Sequence, residues 1–184
     1  MVAVFLAAEV GSERYGPQIV DLLTRLGQPL SVVERPDTSN EAANSVRRRV
    51  LAAYRDYPTG DVFTGMPSDV AWHHAALTPA ELATVRYIDY PYWTDFSGGT
   101  RLAADGARRL GPWQDQPSWT MHRKIAENLR AGKMPPPTML ISEPGLANLV
   151  VIEGHKRLTV LLACRQLLPP EIEVLLGITA RHGK

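Results

Sequence analysis

Leu149-Val-Val-Ile-Glu-Gly-His-Lys-Arg-Leu-Thr-Val-Leu-Leu-Ala163 is the stretch whose reading decides the fold of this chain. Its apolar opening, residues 149–152, has the length of a buried strand, and the apolar run at 158–168 has the length of a helix. Between them lie Glu153, Gly154, His155, Lys156 and Arg157. A strand, a tight glycine turn and a helix together point backbone N–H groups and a helix N-terminus at an anion. Three basic residues at that end oppose the helix dipole by roughly a few tenths of a kcal/mol each, a cost that a bound anion relieves. The expectation is a phosphate-binding corner. The competing reading is a tight turn followed by a hydrated first turn of helix.

The residues upstream and downstream fit a small unit built around this corner. Ser118 can cap a helix that runs to Arg130 and stops at Gly132. Met121, Ile125 and Leu129 would form its buried stripe, with His122, Arg123, Lys124 and Arg130 elsewhere on its surface. Lys133-Met-Pro-Pro-Pro137 ends any helix and delivers an extended segment at 138–142. Glu143-Pro-Gly-Leu-Ala147 reads as a hairpin-type turn. After the corner and its helix, Pro169-Pro170 breaks the chain before a last strand at 171–176.

This ordered pattern resembles the ParB/sulfiredoxin superfamily: a helix, a Pro-led strand, a hairpin strand, then Gly-x-x-Arg opening a helix. The pieces here are residues 121–130, 137–141, 149–152 and Gly154-His-Lys-Arg157, with Ala163 downstream. The resemblance covers about the last third of the chain. It implies recognition of a nucleotide di- or triphosphate, with ATP, ADP or CTP and Mg²⁺ as the implied cofactors. Gly154 would let the backbone approach a phosphate, and His155, Lys156 and Arg157 would supply donors or charge. Arg157 would be the fork that grips two oxygens.

The branches of the superfamily differ in what they require. Sulfiredoxin chemistry needs a cysteine directly after the motif glycine, where this chain has His155. Cys164 lies within an apolar helix, where packing is the expected role. The partition branch carries a basic helix-turn-helix domain downstream, and the sequence ends at Lys184, so chromosome partitioning is not expected. The kinase-like branch keeps more of the residues. Glu153 would accept a hydroxyl proton or hold Mg²⁺, and His155 would stabilise the moving phosphoryl group, which makes both catalytic candidates.

The N-terminal portion resembles no family. Residues 2–7 and 30–34 read as short buried strands flanking a helix at 17–26, a β-loop-α-β start that favours an α/β arrangement. The loop Gly11-Ser-Glu-Arg-Tyr-Gly16 matches neither the dinucleotide fingerprint nor the P-loop, and an ordinary loop is expected there. A helix at 41–57 would bury Val46, Val50 and Tyr54 and expose Arg47, Arg48, Arg49 and Arg55. That basic face is read as solvated rather than as a nucleic-acid contact.

Thr78-Pro-Ala-Glu81 is a capping box that opens a helix reaching about residue 85 or 88. Residues 87–101 are the densest aromatic segment, with Tyr87, Tyr90, Tyr92, Trp93 and Phe96. These rings would either stack on bases or form a core. Ser97, Gly98, Gly99, Thr100 and Arg101 form a second candidate anion site. One more short helix is expected at 101–110, and the polar, proline-flanked segment at 112–117 is the expected boundary. The expected domains are therefore 1–116, an N-terminal α/β region, and 117–184, the ParB/sulfiredoxin-like unit packed on it.

Composition narrows the classes. A chain of 184 residues with 45% hydrophobic and 21% charged residues is ordinary for a globular protein. A formal net charge of +1 exerts no global pull towards nucleic acid, so any anion site must be local. The single cysteine excludes an intramolecular disulfide and a cysteine-based metal cluster, and no metal site is expected from the protein alone. No apolar run approaches the roughly 18 residues needed to span a bilayer. A basic leader is lacking at the N-terminus, so a cytoplasmic location is expected. The leading expectation is an α/β protein binding a nucleotide phosphate, with hydrolysis or phosphoryl transfer to a small molecule as an NTPase or kinase. The alternatives are a DNA-binding or nuclease-like module using the same basic corner, and a non-catalytic ligand-binding or scaffold protein.

Overall fold

The structure, a computed structural model, describes residues 1–60, 63, 66–67, 69–110 and 119–180. The chain is α/β, with helices and a five-stranded mixed sheet among the described residues. It divides into two compact units, Met1–Met66 and Pro67–Lys184. The packing boundary therefore lies some fifty residues before the one expected at 116/117. Residues 111–118, with the expected boundary segment and the Ser118 cap, lie outside the described residues.

The first unit is helical: α1 (Val2–Val10), α2 (Gly16–Arg25), α3 (Ser31–Glu34) and α4 (Glu41–Arg55). Both strands expected here are helix instead. The apolar run at 2–7 continues into Ala7, Ala8 and Glu9, good helix formers, and an apolar run alone does not separate a buried helix from a buried strand. Residues 31–34 make a single turn in which only Val33 is buried. Phe5, Leu6, Ile19, Leu23, Val33, Val50 and Leu51 form the core. In the loop before α2, Ser12 Oγ accepts from Tyr15 N and Ser12 O from Gly16 N, so those donors serve the loop itself.

The arginines of α4 do not form a free basic face. Arg47 is 1% exposed and donates from Nη1 to Val32 O at 2.8 Å and from Nη2 to Asp37 O and Asn44 Oδ1 at 2.6 Å. Arg55 pairs with Glu9 at 3.2 Å and stands 3.9 Å over the Tyr15 ring, while Arg48 pairs with Glu41. Three of the four are committed within the unit. Asn40 caps α4 by accepting from Ala43 N.

The second unit holds the sheet. Its strands are β1 (Ala71–Leu77), β2 (Arg86–Tyr87), β3 (Thr138–Ser142), β4 (Val150–Glu153) and β5 (Ile172–Ile178), in the order β1-β5-β3-β4-β2. β3 is central and buried throughout, parallel to β5 and antiparallel to β4, so the expected hairpin is present. β1 runs antiparallel to β5, and β2 is a two-residue parallel edge on β4. The helices are α5 (Pro79–Leu82), α6 (Pro91–Phe96), α7 (Ala103–Arg109), α8 (Thr120–Arg130) and α9 (His155–Ala163).

The Thr78 capping box forms as predicted, with Thr78 Oγ1 accepting from Glu81 N and Glu81 returning to Thr78 N. Its helix is a single turn, because β2 begins at Arg86. One hydrophobic cluster joins Leu140, Val151, Val174 and Leu176 of the sheet to Leu158, Val160 and Leu161 of α9 and to Ala126 and Leu129 of α8. Cys164 is buried in that cluster, the packing role expected of it.

Candidate functional site

The glycine corner is a sharp strand-to-helix turn. β4 ends at Glu153, Gly154 takes φ 91° and ψ 24°, and α9 begins at His155. A Cβ at residue 154 would lie 2.9 Å from both Nε and Nη2 of Arg157, so glycine satisfies the positive φ and the close approach together. Among the described residues no side chain caps α9, and Leu158 N is bonded to Gly154 O at 2.8 Å. The amides ahead of it have no carbonyl inside the helix to accept them, and they carry the positive end of its dipole.

The three basic residues of the corner differ in what they can offer. Arg157 Nη2 stands 3.3 Å from Glu153 Oε1, and its Nε is buried without a hydrogen-bond partner among the described residues. The expected free fork is thus held by the neighbouring carboxylate. Lys156 is half-buried and has no acidic partner within 4 Å among the described residues. It is the un-neutralised cation of the corner.

His155 is held in a stack. Its ring lies 4.9 Å from Trp93 at 14° and 6.2 Å from Tyr87 at 16°. Burial, with Arg157 nearby, pushes its pKa down to about 4, and Nε2 is buried without a partner among the described residues. At neutral pH it is an uncharged ring, so it does not bring the positive charge expected of it to a phosphate. Thr159 Oγ1 donates to His155 O at 2.7 Å, and Tyr87 Oη lies 2.6 Å from the same Oγ1. With the threonine proton used on the carbonyl, Tyr87 is the donor. Burial raises the Tyr87 phenol to about 12, so that proton stays in place.

The aromatic segment therefore reaches the corner. Tyr87, Trp93 and Phe96 pack together, and Gly106 of α7 makes room: a Cβ there would lie 2.7 Å from Tyr87 Oη and from Phe96. The row continues from Phe96 to Trp119 at 5.7 Å and to His122 at 4.4 Å beyond it. Tyr92 lies parallel to Phe96 and edge-on to Trp93, and it is half-exposed. Both readings of the segment hold in part: Tyr87 is core, while Tyr90 and Tyr92 are exposed.

The second candidate anion site, Ser97 to Arg101, closes on itself. Gly98 N and Gly99 N donate to Asp95 O and Thr94 O, Arg101 N to Ser97 Oγ, and Leu102 N to Thr100 Oγ1. The Ser97 hydroxyl donates to the end of α6, and Thr100 Oγ1 contacts Asp105 Oδ2 at 2.5 Å. Arg101 spends Nε and Nη2 on Tyr87 O, with Asp89 3.6 Å from Nη1. Its donors are engaged, and the segment serves to anchor β2.

Sequence reasoning missed His122. The buried face of α8 is His122, Ala126 and Leu129, one position round from the expected stripe, and Met121 is 51% exposed. Burial, with a contribution from Lys156, pushes His122 down to about 4, and Nδ1 has no partner among the described residues. The i, i+4, i+7 spacing of His122, Ala126 and Leu129 carries the signal, but a histidine is read as polar and therefore as outward-facing.

Chemically the arrangement offers an uncapped helix N-terminus, one unpaired ammonium, a guanidinium shared with a carboxylate, and neighbouring stacked rings. Among the described residues no group of three or more His, Cys, Asp or Glu is placed to hold a metal ion. Mg²⁺ is held by one or two carboxylates together with phosphate oxygens, and Glu153 supplies one carboxylate at the corner. Those residues fit the ion only in company with a nucleotide's own phosphates. No described helix is long and apolar enough to cross a membrane. Comparison of the chain with protein-family models, with curated proteins and with solved structures finds no match in any of the three.

Proposed function

We propose that this protein binds the phosphates of a nucleotide at the Gly154–Arg157 corner, as its resemblance to the ParB/sulfiredoxin superfamily implies. The observation that carries this reading is the stack of Trp93 on His155. It joins two stretches sixty residues apart that supply different halves of a nucleotide site. The corner contributes the α9 N-terminus, Lys156 and Arg157 for phosphate. The exposed Tyr92 beside Trp93 contributes a face on which a base can stack.

A phosphate that draws Arg157 away frees Glu153, which then accepts a hydroxyl proton or joins the phosphates in holding Mg²⁺. That is the route by which the corner would serve hydrolysis or phosphoryl transfer. Neutral His155 acts in it as a positioning residue. Single-stranded nucleic acid is the second reading, favoured by the exposure of both Tyr90 and Tyr92.

Thermal-shift measurements with ATP, ADP, CTP and GTP, with and without Mg²⁺, test the first reading. A nucleotide at about a hundred times its Kd stabilises by about 2.7 kcal/mol. The shift should vanish in Lys156→Ala and Arg157→Ala. No shift with any nucleotide, or full shifts in both variants, overturns it. Oligonucleotide binding that weakens steeply with salt would support the second reading instead.

A further inference from the structure

We infer that His122 of α8 is a further phosphate-binding residue of the corner, donating from Nδ1 to the anion that Lys156 and Arg157 hold. It takes this role only if the corner binds phosphate as proposed above. α8 and α9 lie side by side and point the same way. One hydrophobic cluster holds Ala126 and Leu129 of α8 with Leu158, Val160 and Leu161 of α9. Towards one end, burial and the charge of Lys156 together lower the His122 imidazole; towards the other, burial raises the Cys164 thiol and Arg130 opposes it. Residues 122 and 130 are as far apart along α8 as residues 156 and 164 are along α9 and its cap, so the two first turns stand together. Neither N-terminus has a side-chain cap among the described residues. Two sets of first-turn amides and two positive dipole ends therefore meet at the corner.

His122 itself supplies the independent observation. It lies in the first turn of α8, is 2% exposed, and its Nδ1 has no partner among the described residues. A helical side chain leans towards the N-terminus of its own helix, which carries this imidazole towards the shared end. Its ring lies 4.4 Å from that of Trp119, the residue just before α8, as that lean requires. On the first turn of α9, His155 Nε2 and Arg157 Nε are unmet as well. Buried side-chain nitrogens are ordinarily bonded, so one left unmet beside two helix N-termini marks a place for a ligand atom. Charge fixes the kind of atom. Among the described residues, the charge that bears on the His122 ring is that of Lys156, which repels a cationic ligand and attracts an anionic oxygen. Such an oxygen needs the tautomer with its proton on Nδ1. A neutral imidazole gives that hydrogen bond without burying a second positive charge beside Lys156.

Isothermal titration of the full chain with ATP, ADP, CTP and GTP in the presence of Mg²⁺ reads this directly. Asparagine places its amide nitrogen where histidine has Nδ1, and glutamine places it where histidine has Nε2. His122→Asn should therefore bind within about threefold of wild type, and His122→Gln and His122→Leu about tenfold or more weakly. Proton–nitrogen correlation spectra of the unmutated protein with labelled histidine should show His122 protonated at Nδ1. That resonance should move when the nucleotide is added, a readout that stands even if a variant does not fold. Full affinity in His122→Leu, equal losses in the Asn and Leu variants, or an Nδ1 resonance that stays still overturns the role of His122 and leaves the phosphate corner in place. If no nucleotide binds the wild-type chain, both fall together.

Discussion

The imidazole of His155 lies flat on the indole of Trp93, 4.9 Å between centroids and 14° between planes. This contact ties the aromatic segment to the first residue of α9, so Trp93 should support both the fold and the corner. Trp93→Ala is expected to cost about 2–4 kcal/mol by chemical denaturation, and Trp93→Phe about half as much. Under the nucleotide reading the alanine variant also weakens binding, measurable by titration at a temperature where it stays folded.

Acidification should destabilise the protein through His122 and His155. Both are held near pKa 4 in the folded state, against an ordinary value near 6.5 when unfolded. Between those values the unfolded chain binds more protons, so stability falls as pH falls. The loss should begin below about pH 6.5 and reach about 1 kcal/mol per histidine by pH 5.5. Denaturant titrations at pH 7.5 and pH 5.5 measure it, and His122→Leu should roughly halve the difference, the remainder belonging to His155. Identical midpoints at the two pH values would contradict the assignment.

Gly154→Ala should be worse than a typical glycine substitution. It places a side chain at φ 91° and drives a Cβ to 2.9 Å from the Arg157 guanidinium. A cost of about 1–3 kcal/mol is expected from the backbone alone. The added methyl should also block the approach of a phosphate to the Gly154 backbone and abolish any nucleotide-induced thermal shift. Gly99→Ala, with φ 90° but open space around it, is the control for backbone strain without displacement.

Arg47 and Arg49 should separate cleanly although they are two residues apart. Arg47→Ala removes three hydrogen bonds and the packing of a side chain that is 1% exposed, with an expected cost of about 3 kcal/mol. Arg49 is exposed, and its replacement by alanine should stay within about 0.5 kcal/mol. Equal effects in urea denaturation would remove Arg47 from the core.

A fragment covering Pro67–Lys184 should fold alone, with a cooperative melt and strand signal by circular dichroism. One beginning at residue 117 should not. It lacks β1 and β2, and β5 would lose its partner along all of Ala71–Leu77. An exposed hydrophobic edge of that length promotes aggregation.

Local chemistry was legible where it is self-contained. The Thr78 box, the extended segment at 138–142 and the glycine turn at 154 all follow from short-range rules and stand as expected. Long-range partners were not. Nothing within residues 71–77 indicates that they complete a sheet a hundred residues later, which is why the boundary was expected too far along the chain. Residues 2–7 show the limit of composition, since buried helix and buried strand share one apolar code. At the corner, the residue types pointed to charge, whereas burial leaves His155 neutral and Glu153 occupies Arg157. Formal charge is read from a sequence; its partner is not.

The two-residue strand β2 has a kinetic consequence. Its hold on the sheet is a short ladder to β4, reinforced by Arg101 on the Tyr87 carbonyl and by the Tyr87 phenol on Thr159. A seam this short is the natural place for the sheet to open, below the free energy of global unfolding. Amide protons at residues 86–87 should therefore exchange with solvent ahead of those of β3. Any ligand that settles against the His155 stack would slow that exchange before it altered the global melt. The rate at which two amides trade hydrogen for deuterium is then a readout of occupancy at the stack beside them.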